Sequence, residues 1–185
     1  MRKLLITWLL LLAGCSTQDL SQTQQYLLPD LYQEKVAQQD APLLLVEVEL
    51  ASYLDVSGIV YQSSMTQVVQ AKQNVWATDI AQQLEAKVIE ILAANQSSYW
   101  PVVLNSALDL SESDKLLVQV DKFNGSYSGN ALVEGNWMLV DQHGIIVKGG
   151  SFKQHIALDQ EGYQALVIAL NSGLDAAIKR VSQSL

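Results

Sequence analysis

Hydrophobic and polar positions follow three different rhythms along this chain, and each rhythm predicts an element. From Leu44 the residues alternate: Leu44, Val46, Val48 and Leu50 fall on one face and Glu47 and Glu49 on the other, so 43–53 predicts a half-buried strand. Ahead of it, Tyr26-Leu27-Leu28 is a short apolar run stopped by Pro29, and 26–29 predicts a first strand. Residues 30–42 are polar, end in Ala41-Pro42 and predict a loop. Gly58 interrupts the chain after Tyr53, and Ile59–Gln62 and Thr66–Ala71 predict two short strands. The period then changes. Ile80, Leu84, Val88 and Leu92 recur every four residues with Ile91 beside them, which predicts an amphipathic helix of about sixteen residues. Thr78 is its predicted N-cap, Asp79 lies in its first turn, and it fades at Ala94-Asn95.

Period two returns afterwards. Lys115–Phe123 places Leu116, Val118 and Val120 against Gln119 and Asp121, and Ala131–Val140 places Val133, Trp137 and Leu139 against Glu134 and Asn136. Ile145–Ile156 is a longer and less regular third strand. Asn124–Gly129 joins the first pair, and Asp141-Gln142-His143-Gly144 joins the second as a hairpin turn with glycine supplying positive φ. The chain ends on Tyr163, Val167, Leu170, Leu174, Ala177 and Val181, a heptad-like stripe predicting a helix with Asp159 as its cap. Packing of that stripe on the sheet is the simpler meaning, and a helix–helix contact between subunits the sharper one. Strands, helix, hairpins and helix in this order predict a single α/β domain over 26–185, a mixed sheet flanked by two main helices. No internal repeat or second domain boundary is visible.

The first fifteen residues obey none of these rhythms. Arg2 and Lys3 precede an apolar stretch from Leu4 to Leu12, broken by Thr7 and followed by Ala13, Gly14 and Cys15. That stretch is shorter than the ~20 residues a membrane-spanning helix needs. A cationic start, a short apolar core and small residues at the end describe an export signal over 1–14, removed from the mature protein. The tetrad Leu12-Ala13-Gly14-Cys15 resembles the lipobox of bacterial lipoproteins. That resemblance implies diacylglycerol on the cysteine sulfur, cleavage before Cys15 and an N-acyl group on the new amino terminus. Cysteine suits the role because a thiolate is the strongest nucleophile among the side chains for thioether formation. Under the sorting rule attached to the lipobox, Ser16 permits transfer to the outer membrane, where an Asp would favour the inner one. Ser16–Gln25 is polar and aperiodic and predicts a flexible stretch, so 15–25 forms a lipidated tether of at most ~35 Å.

Composition narrows the function. Of 185 residues 49% are apolar and 16% charged, enough to bury a core. The net charge is −8, and losing residues 1–14 with Arg2 and Lys3 makes it −10. That acidity argues against nucleic acid and against docking on anionic lipid through a basic surface. A single cysteine excludes an internal disulfide and a cysteine-based zinc site. There is no G-x-G-x-x-G, Walker loop or H-E-x-x-H, and Gly125–Gly129 fails G-x-S-x-G because Tyr127 holds the third position. His143 and His155 lack ligand spacing, and Glu47 with Glu49 reads as the wet face of a strand. No catalytic residue, metal or dissociable cofactor is expected; the expected prosthetic group is the covalent lipid on Cys15. Trp76, Trp100 and Trp137 read as core anchors.

Several segments carry a wider resemblance: Tyr26-Leu27-Leu28-Pro29, Ser57–Gln62, Asn74-Val75-Trp76-Ala77, Phe123-Asn124-Gly125, Gly129 and Gly135-Asn136-Trp137. In this order and spacing they resemble the ABC-type transport auxiliary lipoproteins, across the whole mature chain. The resemblance implies a three-layer fold like the anticodon-binding domain, with Trp76, Gly125 and Trp137 setting the architecture. It implies anchoring in the outer membrane on the periplasmic side and a periplasm-spanning MCE-domain tunnel protein as partner. It implies self-association into a ring, and a part in moving phospholipid between membranes that supports envelope integrity. A docking or collar adaptor fits the acidic surface better than headgroup binding. The competing readings are a monomeric periplasmic carrier enclosing acyl chains, which needs a large apolar cavity, and an envelope hydrolase.

Overall fold

The computed structural model describes residues 22–30, 41–95 and 98–185. The predicted signal segment, Leu12-Ala13-Gly14, Cys15, Ser16, most of the predicted tether and most of the predicted 30–42 loop lie outside the described residues. In chain order the elements are β1 (Gln24–Tyr26), β2 (Leu43–Leu50), β3 (Gly58–Gln62), β4 (Val68–Trp76), α1 (Ile80–Asn95), β5 (Trp100–Val102), β6 (Asp114–Ser126), β7 (Asn130–Val140), β8 (Ile146–Ala157) and α2 (Tyr163–Ser182).

β6 is the axis of an eight-stranded mixed sheet. One of its edges pairs antiparallel with β7 from Lys115↔Val140 to Gly125↔Ala131, and β7 pairs antiparallel with β8. Its other edge is shared end to end. β2 runs parallel to Asp114–Val120, and β3 runs parallel to Gly125 and Ser126. Between the two the β6–β7 register shifts from Val120 to Lys122, leaving Asp121 as the extra residue of a bulge. β5 extends the sheet beyond β2 in parallel. β4 pairs antiparallel with β3, and β1 adds in parallel to β4.

The alternation read in the sequence sets the two faces of this sheet. Val46, Leu116 and Leu139 form one row across three strands, and Val48, Val118 and Trp137 form the next. These rows face the helices. α1 adds Leu84, Val88, Ile91 and Leu92, and α2 adds Val167, Leu170, Leu174, Ala177 and Val181, to one continuous core. Each aliphatic side chain fully buried there contributes about 1.5–3 kcal/mol of transfer free energy. The opposite face exposes Glu47, Glu49, Gln119 and Asn136, and no described helix covers it. The α/β class, the mixed sheet and the two helices therefore agree with expectation. The expected three-layer arrangement does not: α1 and α2 pack on each other on one face, so the described residues form two layers.

Local differences have local causes. The first strand is Gln24–Tyr26 and not 26–29, because hydrogen bonding to β4 ends at Tyr26↔Trp76. The predicted tether therefore shortens at its carboxyl end, since Gln24 and Gln25 are strand residues. Asp79, not Thr78, caps α1: its Oδ1 accepts the Gln82 N–H at 3.0 Å. α2 begins at Tyr163 behind Gly162 (φ 108°), without a side-chain cap, so Asp159 has no capping role. Asn124 and Gly125 extend β6, and the turn after it is shorter than predicted, with Gly129 at φ 80°. β5 was not predicted. It is three residues long and contains Pro101, and its Trp100 is 42% exposed instead of buried.

Trp76 and Trp137 are core residues as expected. Trp76 tilts against Phe123 at 6.1 Å between ring centroids. Trp137 lies over Gly150, its cross-strand partner on β8, whose absent side chain leaves room for the indole. Gly135 is needed for close approach. A Cβ there would overlap the Gln119 carbonyl oxygen of the neighbouring strand and lie 2.7 Å from Phe152 Cζ. Backbone cannot swing away as a side chain can. Gly135→Ala is expected to cost about 1–3 kcal/mol, read as a lower midpoint in urea denaturation with the slope unchanged.

Candidate functional site

Two features draw attention: a clip that fixes the amino-terminal segment, and a groove at one end of the sheet. The clip starts where β1 ends. Tyr26 donates its hydroxyl to Asn74 Oδ1 at 3.0 Å and sets its ring 6.5 Å from that of Tyr163. Leu28 is buried, and its backbone N–H donates to Gln83 Oε1 of α1 at 3.0 Å. The Pro29 carbonyl accepts from Asn171 Nδ2 of α2 at 3.2 Å. Asp30 pairs with Lys87, which also donates to Glu90 Oε2 at 2.8 Å. Within five residues the chain is therefore fastened to the sheet edge and to both helices.

Lys87 is the centre of the clip. It sits on the apolar stripe of α1 between Leu84 and Ile91 and is only 6% exposed. Burial works to lower its pKa, and hydrogen bonds to Asp30 and Glu90 with their negative charges more than reverse this, so the pKa lies above its ordinary value. The hydrogen bond from Lys87 and its positive charge hold the Asp30 carboxyl below the usual range. Sequence reading missed this group, although a signal was present. A lysine three residues after Leu84 and four before Ile91 occupies a core-facing helical position.

The groove has a volume of about 580 Å³ and lies between the β6–β7 turn, the end of β3 and the start of α2. Tyr61, Tyr127, Tyr163, Leu158 and Leu166 give it an apolar lining. Gly125 forms its floor: a Cβ there would lie 2.6 Å from Tyr61 Cδ2 and 2.9 Å from Leu166 Cδ2. A side chain at Gly125 would therefore push against Tyr61 and Leu166.

The remaining candidates are separate. His143 is exposed in the turn between β7 and β8. His155 Nε2 lies 2.6 Å from Glu134 Oε1 on the open sheet face, with Lys122 at 3.1 Å and Lys153 at 3.5 Å from the same carboxylate. Burial alone would raise the Glu134 pKa; the His155 hydrogen bond and the two lysines outweigh it and leave the pKa lowered. The four side chains form one charge cluster on the sheet. Glu47 and Glu49 are exposed on that open face, as the alternation predicted. Among the described residues no group of three or more His, Cys, Asp or Glu is placed to hold a metal. No helix among them is long and apolar enough to cross a membrane.

Comparison with known proteins gives the class: residues 26–182 match the ABC-type transport auxiliary lipoprotein component family, and the chain belongs to it. Among characterised relatives, the intermembrane transport lipoprotein PqiC of Escherichia coli (strain K12) is 37% identical over 176 residues, covering 92% of this chain and 90% of that protein. PqiC of Shigella flexneri matches to the same extent. A crystal structure of an uncharacterised protein superposes with a TM-score of 0.74 at 29% identity, covering 88% of this chain and 98% of that one. A Xanthomonas campestris protein shares the fold, with a TM-score of 0.63 at 19% identity over 86% of this chain and 90% of its own.

Two measurements probe the charged groups. Lys87→Met leaves Glu90 without its close cation and unfastens Asp30. It is expected to cost about 1–3 kcal/mol and to speed hydrogen exchange at the Leu28 amide. The lowered pKa of Glu134 gives stability that is complete above the unfolded value near 4.5 and is lost as pH falls through the folded value. Glu134→Gln should therefore flatten the loss of stability in acid, measured as denaturation midpoints across that range.

Proposed function

We propose that this chain is the outer-membrane lipoprotein of an MCE-type intermembrane lipid transport complex. Cys15 carries the diacylglycerol and N-acyl anchor, cleavage occurs between Gly14 and Cys15, and Ser16 permits outer-membrane sorting. The domain then hangs on the periplasmic side as a docking adaptor, in several copies around an axis, receiving the end of a PqiB-like periplasm-spanning tunnel. The observation that carries this reading is the 37% identity to the E. coli intermembrane transport lipoprotein, sustained over 92% of the chain.

Physical features support it. One acyl chain binds a membrane only reversibly, whereas two or more anchor it stably. A short tether concentrates the domain in a thin layer, where weak contacts to a multimeric partner add. The helix–sheet interface is filled: Leu44, Leu84, Leu92, Leu116, Leu170 and Leu174 have no measurable exposure. Among the described residues the sheet and helices close on each other with these side chains, which favours an adaptor over a carrier that would hold acyl chains between them. The relatives are named for transport and for lipoprotein character, not for a reaction.

Cys15→Ser is expected to abolish incorporation of a fatty-acid probe and to leave the precursor uncut. The native chain, extracted in mild detergent, is expected to bring down an MCE-domain protein co-expressed from the same genome. A labelled serine variant would remove the anchor assignment. A labelled native chain that retains no MCE-domain protein would remove the adaptor role.

A further inference from the structure

We propose that one end of the sheet is a bilayer-contacting surface, formed by the tip of the β3–β4 hairpin and the β6–β7 turn, with Met65 and Tyr127 as its contact side chains. The inference rests on the anchored-lipoprotein reading above and adds an orientation to it.

Strand polarity gives the first argument. β1 runs parallel to β4 in the register Gln24↔Asn74, Gln25↔Val75 and Tyr26↔Trp76. β4 descends from the β3–β4 hairpin tip, so the chain enters β1 from the side of that tip. Cys15 precedes Gln24 by nine residues, and Met65 at the tip precedes Asn74 by the same nine. Nine residues reach at most roughly 30 Å, matching the run from Asn74 back to the hairpin tip. An acyl anchor on Cys15 is thus within reach of the level of the hairpin tip.

The chemistry of this end is the second, separate argument. Met65 is 83% exposed, and Val68 and Val69 are nearly half exposed beside it. Tyr127 is also exposed, and its N–H donates to the Gln62 carbonyl at 2.8 Å, which ties the second turn to the end of β3. In a chain of net charge −8, no acidic residue occurs from Val56 through Thr78, where Lys72 is the only charge, and none from Lys122 through Val133. Asp159 and Glu161, the acids near this end, belong to the segment entering α2 and to neither hairpin. Methionine and valine gain from leaving water, and tyrosine favours the headgroup level, where its ring is apolar and its hydroxyl stays wet. The rest of this acidic protein repels an anionic surface; these two tips do not.

The opposite pole is the Asp141–Gly144 turn. It adjoins the start of β6, through Lys115↔Val140, whereas β3 meets the other end of β6. Exposed His143 in that turn is the reference position. The test uses the full lipidated protein. Its one natural cysteine is consumed by the lipid, so Met65→Cys, Tyr127→Cys and His143→Cys each introduce a single free thiol for an environment-sensitive fluorophore. Each labelled protein is reconstituted in vesicles of phosphatidylethanolamine and phosphatidylglycerol, with and without a spin-labelled phospholipid. Probes at 65 and 127 are expected to be quenched about twofold or more beyond the probe at 143. Equal quenching at all three positions, in protein that floats with the vesicles, overturns the orientation and leaves the anchor reading standing. Probes at 65 and 127 shielded from water yet untouched by the lipid quencher show a second copy on this surface, and also overturn it. Protein that fails to float overturns the anchor reading, and the orientation with it.

Discussion

The fold depends on one strand serving two partners along the same edge. β6 has to be thirteen residues long because β2 occupies its first half and β3 its last two residues. The bulge at Asp121 separates the two, and the chain that leaves β2 crosses at this level. There Ala51 N–H donates to the Val120 carbonyl at 2.9 Å, and the Tyr53 hydroxyl donates to the Asp121 carbonyl at 2.7 Å. A backbone carbonyl left over by the bulge is thus satisfied by a side chain from the connection that the bulge admits. Burial, followed by the nearby charges of Asp121 and Glu134, pushes the Tyr53 phenol above its ordinary pKa, so it remains a donor. The β3–β4–β1 arm follows from this branching, and with it the route by which the amino-terminal segment joins the sheet.

Much of this was legible in the residues. Period two in Leu44–Leu50 and Leu116–Val120 fixed which side chains meet the helices, because one face of the sheet is buried and the other wet. Period four in Ile80–Leu92 gave α1 almost to the residue, since a long amphipathic pattern averages over many positions. Short elements failed for the opposite reason. β5 has three residues and a proline, and it exists only because Leu43–Leu45 offer it a partner. The first strand was misplaced because Leu27 and Leu28 look strand-like, while Leu28 is buried by the helices and not by sheet pairing. Asp79 and Thr78 are both good caps, and only the geometry selects between them.

The candidate site was legible in parts. Gly125 and Trp137 could be named from resemblance, but their reasons lie in close approaches between residues far apart in sequence: Gly125 with Tyr61 and Leu166, Trp137 with Gly150. The clip was missed because its polar members are scattered over three elements. Gln83, Lys87 and Asn171 each look unremarkable until Leu28–Asp30 is laid between the helices. Cys15 was legible for a different reason. The expectation for Cys15 rests on the lipobox-like tetrad alone, a local chemical pattern that involves no packing and lies outside the described residues.

The parallel placement of β1 has a mechanical consequence. A pull directed along β1 from the amino terminus loads its hydrogen bonds to β4 in shear, so they bear the strain together and do not peel one at a time. The Asn171 and Lys87 contacts lie just behind, in series, and share whatever force passes Tyr26. A pull on the first described residues is thereby met at the sheet edge and at the two helices before it reaches the core.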